Sequence, residues 1–245
     1  MKRFASILIT LFVSTGLFAQ TVTNVAERQS DYNGHEYVDL GLSVKWATCN
    51  VGASKPEDYG GYFQWAGTTD VSSTSIYLDW SNCPYHSESN YRTHWTKYNT
   101  QPSYGTVDHK TVLEPSDDAA HVNWGGNWRM PTGAEWTELR ENCSWIWITL
   151  NGVNGYLITS DMSGYKDKSI FLPAAGCRYG DGLGNVGVDG CYWLSTLYAD
   201  YPNRAYDANI NFTEIKGDNC YSQWYFIIRS SNDRYYGQSV RPVSD

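Results

Sequence analysis

The chain has 245 residues, so we expect one domain, or two at most. Its 26 acidic and 18 basic residues give a net charge of −8, which excludes the large basic surface that a nucleic-acid-binding protein needs. Aromatic residues make up 16% of the sequence, with 11 Trp and 20 Tyr, and this composition is typical of a loop-rich core or of a surface that stacks on sugars.

Residues 1–19 have the pattern of a signal peptide, with a basic start, an apolar run and a small residue at the end. The apolar run is shorter than the roughly 20 residues that a membrane span needs. We therefore expect an exported chain, in the periplasm, at the cell surface or outside the cell, with no transmembrane segment after cleavage. Losing residues 1–19 removes Lys2, Arg3 and no acidic residue, so the net charge would move from −8 to −10.

The first part of the chain predicts a short polar lead-in at 20–36, followed by a folded domain at 37–245. Residues 35–49 alternate between apolar and polar types, which predicts a strand pair or one long bent strand. A short helix is predicted to begin at Pro56, because proline suits the first helical position and two acids follow it in the first turn.

The segment at about 68–112 is rich in Ser, Thr, Tyr, Asn and His and has no sustained apolar period. This pattern predicts a long surface loop inserted in the domain. Loops of this length are usually functional or disordered, and the Tyr and Trp residues interleaved along this one argue against complete disorder.

Two helix starts follow the insertion. Ser116 predicts the cap of a short helix that ends at Gly125. A central helix at about 132–143 begins with the capping-box pair Thr132 and Glu135, whose side chains can each satisfy a backbone N–H at the helix start. Its buried face is predicted to carry Trp136, Leu139 and Cys143.

Beyond Ser144 the sequence changes to short β-branched or aromatic segments separated by Gly, Asn, Asp and Ser. Helices in the first part of the domain and antiparallel strands in the second predict an α+β fold. The predicted strands are 145–150, 155–160, 169–176, 192–196, 205–212, 224–229 and 239–243.

All six cysteines lie after residue 19, and an even number of cysteines in an exported chain favours disulfides. If the segments that end at Cys177 and begin at Cys191 are neighbouring antiparallel strands, joined by the glycine-rich turn between them, these two residues can form a bond. Closing that loop would contribute about 3 kcal/mol. No spacing selects the remaining pairs, which are Cys49 with Cys143 and Cys83 with Cys220.

Four segments together carry a resemblance to a known family: 123–145 (NWGGNWRMPTGAEWTELRENCSW), 169–178 (SIFLPAAGCR), 190–196 (GCYWLST) and 235–243 (YYGQSVRPV). From about Tyr37 to its end, the chain resembles the major paralogous domain first described in Fibrobacter succinogenes, which is common in secreted Bacteroidota proteins. That family is similar to the C-type-lectin-like fold. The resemblance implies that the first and last strands pair, with 38–44 beside 239–243, and that long loops cover the opposite surface.

Calcium-dependent lectins of animals bind sugar through Glu-Pro-Asn or Gln-Pro-Asp together with Trp-Asn-Asp, and this sequence lacks that set. Asp181, Asn185 and Asp189, spaced by four in a glycine-rich loop, could donate oxygens to a calcium ion, although a plain turn explains the same residues. The sequence contains no zinc, serine hydrolase or phosphate-binding motif. We therefore predict no cofactor, with calcium as the alternative.

Recognition by shape and aromatic stacking remains. Flat rings can stack on the apolar faces of pyranoses while Asn and Arg hydrogen-bond their hydroxyls, and the alternative is that such rings simply cover the sheet. The candidate ligand-binding residues, in two loops that the resemblance places near the binding face, are Tyr198, Tyr201, Asn203, Arg204, Tyr221 and Trp224.

These observations predict an exported, non-enzymatic binding domain that recognises a glycan or an extracellular protein through its aromatic loops. The first alternative is a structural or assembly component of the bacterial cell envelope. The second is an enzyme with cysteine chemistry, because the sulfatase-activating formylglycine enzymes share the lectin-like fold. No motif around Cys191 or Cys220 matches those enzymes.

Overall fold

The computed structural model describes residues 29–72, 75–88, 92–214 and 222–245. The predicted signal peptide, residues 20–28 of the lead-in, Cys220 and Tyr221 lie outside the described residues. The described part is an α+β structure dominated by strands, which confirms the predicted class in its coarse form. None of the helices in these ranges is long and apolar enough to cross a membrane.

The elements, numbered in chain order, include two α-helices, Ala119–Trp124 (α1) and Gly133–Glu141 (α2). Short 3₁₀ turns occur at Trp80–Asn82, Pro102–Tyr104 and Pro115–Asp117. The strands are Gln29–Tyr32 (β1), His35–Val38 (β2), Lys45–Ala47 (β3), Cys143–Leu150 (β4), Val153–Ser160 (β5), Ser169–Pro173 (β6), Cys177–Tyr179 (β7), Gly182–Gly184 (β8), Asp189–Leu197 (β9), Arg204–Glu214 (β10), Ser222–Asp233 (β11) and Val243–Ser244 (β12).

One sheet joins the two ends of the described chain, with the antiparallel order β1-β2-β3-β12. Val243 lies opposite Trp46, so the last strand pairs with β3, an early strand, as the resemblance implied in general terms. The pairing uses 45–46 and 243–244 rather than 38–44 and 239–243. Pro242 interrupts the last predicted strand, because proline has no N–H to donate to a ladder.

Two further antiparallel sheets have the orders β4-β5-β6 and β11-β10-β9, and they contain the other predicted strands. Strand β9 lies between two clusters of buried side chains, since its residues alternate in direction. Trp193 packs in one cluster with Trp65, whereas Leu194 packs in the other with Trp46 and Trp136.

Helix α2 begins with the predicted capping box. The Thr132 hydroxyl accepts a hydrogen bond from the Glu135 N–H at 3.3 Å, and the Glu135 carboxylate accepts one from the Thr132 N–H at 2.7 Å. Trp136 and Leu139 are buried as predicted. Cys143 is also buried, but it begins β4 instead of continuing the helix.

The helix predicted at Pro56 is not formed, and the described chain makes turns there. Asp58 accepts hydrogen bonds from the Lys55 N–H at 3.1 Å and from the Ser54 hydroxyl at 3.3 Å. These bonds stabilise a turn, and that turn competes with a helix start. Gly60 follows with φ of 73°, outside the helical region.

The first helix starts later than predicted. A 3₁₀ turn occupies Ser116, and Asp118 is the cap of α1, accepting hydrogen bonds from the N–H groups of Ala120 at 2.9 Å and His121 at 3.1 Å. Gly125 ends the helix as predicted, with φ of 69°.

The insertion at 68–112, predicted as a long surface loop, is anchored to the core by aromatic residues. Trp95 and Tyr98 are fully buried. The Asp117 carboxylate accepts hydrogen bonds from the Tyr98 hydroxyl at 2.5 Å and the Tyr85 hydroxyl at 2.6 Å, and Lys97 lies 2.5 Å from the same carboxylate. These contacts span about 20 to 30 residues of sequence, which is why no local period revealed them.

Candidate functional site

The predicted tyrosines Tyr198 and Tyr201 occupy the turn between β9 and β10. Their rings stack with 5.7 Å between centroids and an interplanar angle of 9°. The turn is closed by the Tyr201 N–H, which donates to the Tyr198 carbonyl at 3.0 Å. Because Tyr201 is 53% exposed, the pair presents aromatic surface to solvent.

The neighbouring polar residues have structural roles. Asn203 is buried and donates to the Asp233 carboxylate at 3.3 Å, so its side chain is not presented at the surface of the loop. The Arg204 guanidinium donates to the Ser231 carbonyl and lies 3.9 Å from Asp233, so this side chain is directed at β11. Trp224 belongs to β11, but its side chain lies outside what the structure describes, as does Tyr221.

The predicted calcium residues lie in and after the β7–β8 hairpin. Asp181 is in the hairpin turn, while Asn185 and Asp189 close the next turn through the Asp189 N–H, which donates to the Asn185 carbonyl at 2.9 Å. The Asn185 amide donates to the Asp189 carboxylate at 2.8 Å. Within the described ranges, no group of three or more His, Cys, Asp or Glu side chains is arranged to hold a metal ion. A turn accounts for these residues.

The five cysteines in the described residues are free thiols, so neither Cys49–Cys143 nor Cys177–Cys191 is bonded in this structure, and the predicted partner of Cys83 lies outside the described residues. Cys49 and Cys143 belong to different core clusters. Cys177 and Cys191 interact directly: hydrogen bonding to Cys191 lowers the pKa of Cys177, whereas hydrogen bonding to Cys177 and burial raise that of Cys191.

The predicted strand pairing around those two thiols is wrong, although the predicted proximity of Cys177 and Cys191 is correct. Strand β7 pairs with β8, because the glycine-rich segment folds back into its own hairpin. The thiols meet because a parallel bridge joins the preceding residues, Gly176 and Gly190.

A second aromatic surface, which the sequence did not indicate, is formed where the insertion meets the β7–β8 hairpin. We name it the tyrosine platform, and it consists of Tyr77, Tyr179 and Tyr236. Tyr77 is 61% exposed and Tyr179 is 48% exposed. The Tyr179 and Tyr236 rings stack with 5.6 Å between centroids and an interplanar angle of 25°.

Glycines form the floor of the tyrosine platform. A Cβ atom on Gly184 would lie 3.0 Å from the Tyr179 ring, and one on Gly180 would lie 3.2 Å from the Tyr77 ring. The rings therefore pack against bare backbone. Main-chain hydrogen bonds between Leu78 and Gly180, at 2.7 and 3.2 Å, fix the insertion to the hairpin. The only local signal for this site was the run of glycines that follows Tyr179, and it could not identify the partner from the insertion.

The platform continues inward through ring contacts. Tyr235 lies 4.9 Å from Tyr236, and Trp80 lies 4.6 Å from Tyr235, both edge to face. Trp80 in turn contacts the buried Trp95 at 5.9 Å. Successive aromatic contacts thus connect the exposed rings to the core, which supports their orientation.

A cavity of about 160 Å³ lies elsewhere, lined by parts of 112–121 and 127–130 and by Ser195 of β9. Leu113, Trp128 and Met130 form an apolar wall. The polar lining includes Asp118, His121 and Ser195. Burial raises the pKa of Asp118, while backbone hydrogen bonds oppose that shift.

Ser, His and Asp side chains around one cavity raise the question of a hydrolase. The Ser195 hydroxyl has no hydrogen-bond partner among the described residues, so His121 is not positioned as its base. Asp118 instead accepts hydrogen bonds from the N–H groups of Ala120, His121 and Met130. The geometry is that of a helix cap beside a cavity and not of a nucleophile with its base.

We compared the sequence with protein-family models and with curated proteins, and the structure with solved structures, and none of the three comparisons found a match.

Proposed function

We propose that this protein is an exported, non-enzymatic binding domain that recognises a neutral glycan, and that the tyrosine platform is its primary contact surface. The observation that carries the proposal is the pair of exposed rings, Tyr77 and Tyr179, packed on glycine backbone. A scaffold of the C-type-lectin-like type, and membership of the resembling family, belong to the same proposal. The pairing of the last strand with β3 and the capping box of the central helix support them.

Aromatic rings suit this role because they offer flat apolar area at little cost in conformational entropy. The C–H faces of a pyranose can pack on such rings while the tyrosine hydroxyls and nearby polar groups bond the sugar hydroxyls. The exposed Asp181 carboxylate adjoins Tyr179 in the hairpin and can accept such bonds.

The charge of the protein favours a neutral sugar over an acidic one. The chain has a net charge of −8. Arg178, the cation next to Tyr179 in sequence, is buried, and its guanidinium donates to the carbonyls of Val71 and Ile76. The Asp181 carboxylate would therefore repel a carboxylate or sulfate on the ligand, and the hairpin has no exposed cation to offset that repulsion.

The test is binding of the purified chain, without residues 1–19, to a panel of cellohexaose, xylohexaose, mannohexaose, neutral mucin glycans and polygalacturonate. We expect binding to one or more neutral members, in calcium and in chelator alike. Tyr179→Ala and Tyr77→Ala should each weaken that binding by about 2 kcal/mol, or roughly 30-fold in Kd. Tyr179→Phe, which keeps the ring, should change Kd only a few-fold.

Two variants make the test specific to ring position. Gly184→Ala retains both tyrosine residues but shifts the Tyr179 ring, because the added methyl group would lie against that ring. It should therefore weaken binding by less than Tyr179→Ala. Tyr201→Ala, which removes an equally exposed ring from the other aromatic surface, should have no effect. Loss of binding with Tyr201→Ala alone would move the site to the Tyr198–Tyr201 pair. Binding to no glycan, combined with capture of an extracellular protein, would favour a protein ligand.

A further inference from the structure

The cavity beside Ser195 has features of a binding site that are independent of the tyrosine platform. We propose that it binds a small neutral aromatic compound that carries one hydroxyl group. Its size, the chemistry of its wall and one buried hydroxyl each support this ligand class.

The volume of the cavity fits one ring. An apolar protein cavity of about 150 Å³ is large enough to bind benzene. The cavity here measures about 160 Å³, so a single six-membered ring with one small substituent fills it. Its apolar wall is made by Leu113, Trp128 and Met130, all buried, which favours an aromatic ring over a sugar or an ion.

Ser195 supplies the polar contact. The residue is 4% exposed, it lines the cavity, and its hydroxyl makes no hydrogen bond to any described residue. Its backbone is already used, because its N–H donates to the Pro131 carbonyl at 3.0 Å and its carbonyl accepts from the Leu113 N–H at 3.0 Å. The hydroxyl oxygen itself has almost no accessible surface, so the Ser195 side chain must rotate about its Cα–Cβ bond to meet a ligand. A buried hydroxyl without a partner is costly, so a ligand hydroxyl that then bonds it gains that cost back on binding.

The charged side chains in the cavity wall already have partners within the protein, so a charged ligand is not required to neutralise them. Asp118 accepts three backbone N–H hydrogen bonds. Arg129 donates to Glu135 at 2.6 Å and to Asp245 at 2.9 Å. A neutral molecule therefore fits better than an anion, which Asp118 would repel, or a cation, for which the acceptors are already in use.

The ligand has a route in, because the lining includes Val112, Pro115 and Asn127, which are all exposed. Val112 is 49% exposed, so a larger side chain there can cover the cavity without disturbing the core. This position supplies a blocking variant that is expected to fold.

The experiment uses the methionine methyl groups as reporters, since the chain has only three Met residues. In protein labelled with ¹³C at these methyls, p-cresol should shift the signal of Met130, which lines the cavity, and leave that of the exposed Met162 unchanged. Toluene, which lacks the hydroxyl, should bind about five- to tenfold more weakly than p-cresol.

The variants separate the possible outcomes. Ser195→Ala should abolish the preference for p-cresol over toluene, Val112→Trp should weaken both ligands, and Tyr179→Ala should leave both unchanged. The proposal is overturned if the Met130 signal does not move at millimolar p-cresol, or if the preference survives in Ser195→Ala. Tighter binding of N-acetyltyrosine amide than of p-cresol would also overturn it, since the cavity would then accept a tyrosyl side chain of a protein. Because Tyr179→Ala is silent here, failure of this site and failure of the platform are distinguishable.

Discussion

Arg241 and Arg234 are both fully buried, but their surroundings differ. Each nitrogen of the Arg241 guanidinium donates a hydrogen bond, to the Asn50 side chain at 2.9 Å, the Ala47 carbonyl at 3.0 Å and the Phe171 carbonyl at 2.9 Å. These bonds connect β3 and its following turn to β6. Arg241 thus fixes backbone segments that are far apart in sequence at defined distances.

Arg234 is held mainly by ring faces. Its guanidinium carbon lies 3.8 Å from the centroid of the Trp95 ring and 4.8 Å from that of Trp65. One nitrogen donates to the carbonyls of Pro202 at 3.1 Å and Tyr98 at 3.3 Å. The other two nitrogens find no hydrogen-bond partner in the described ranges.

The difference shows two ways to bury a cation. Hydrogen bonds specify direction and distance, whereas a ring face tolerates displacement of the guanidinium across it. Burial lowers the pKa of both arginines, and that of Arg234 to about 10, which indicates how poorly its charge is compensated. The insertion side of the molecule should therefore adapt to substitution more easily than the side fixed by Arg241.

The largest expected effect is that of Arg241→Met. Methionine fills similar space but leaves the Asn50 amide oxygen and two carbonyls without their donor, so unfolding should require about 3 to 5 kcal/mol less free energy. Urea titration measures this as a lower midpoint at constant slope. Arg241→Lys should recover only part of the loss, because one ammonium cannot match the planar fork. A loss below about 1 kcal/mol would show that these bonds are not what fixes β3 to β6.

An intermediate effect is expected for Tyr98→Phe. The Tyr98 hydroxyl donates to Asp117 at 2.5 Å and accepts from the Glu114 N–H at 2.9 Å, so the variant should lose about 1 to 2 kcal/mol at pH 7. Burial and the bond to Asp117 raise the pKa of Tyr98 above its ordinary value of 10.0. The stability that this residue contributes is therefore fully present below about pH 10 and is lost as the pH rises further.

Unfolding free energies measured between pH 8 and 11.5 test this assignment. Wild type should lose stability above pH 10 more steeply than Tyr98→Phe, so the two curves should converge. Arg234 acts in the opposite direction, because its depressed pKa of about 10 makes stability rise with pH up to its ordinary value. The difference between the two proteins is the informative quantity, and parallel curves would contradict the role of Tyr98.

Local patterns predicted the parts of the fold that local contacts determine. Thr132 and Glu135 lie three residues apart, so the capping box could be identified from the sequence. Short β-branched or aromatic segments between turn residues predicted the strands of the β4-β5-β6 and β9-β10-β11 sheets. The helix at Pro56 was wrong because Asp58 bonds backward into a turn, and propensity alone does not weigh that competition.

The candidate site was less predictable, because burial depends on distant partners. Tyr201 is exposed, as a ring that contacts a ligand must be, whereas Asn203 is buried, and its partner Asp233 lies 30 residues away. The tyrosine platform needs Tyr77 beside Gly180, about 100 residues apart in sequence. No single segment of the sequence contains that information.

The smallest expected effect is that of Arg234→Met, and it is the direct counterpart of Arg241→Met. The variant loses two long hydrogen bonds and the contact with two indole rings, but it also removes a buried charge with two unsatisfied nitrogens. These contributions oppose each other, so the net loss should be about 1 kcal/mol or less. The urea midpoint measures it under the conditions used for Arg241→Met.

The gap between these two variants is the sharpest test of the comparison. Because methionine replaces arginine in both, side-chain volume and helix or strand propensity largely cancel, and the difference reports how each charge is held. A gap of about 2 kcal/mol or more supports directional bonding at Arg241 and ring-face packing at Arg234. Equal losses of unfolding free energy would mean that the Trp65 and Trp95 faces stabilise a buried guanidinium as well as three hydrogen bonds do. The insertion would then be as rigidly fixed as the sheets.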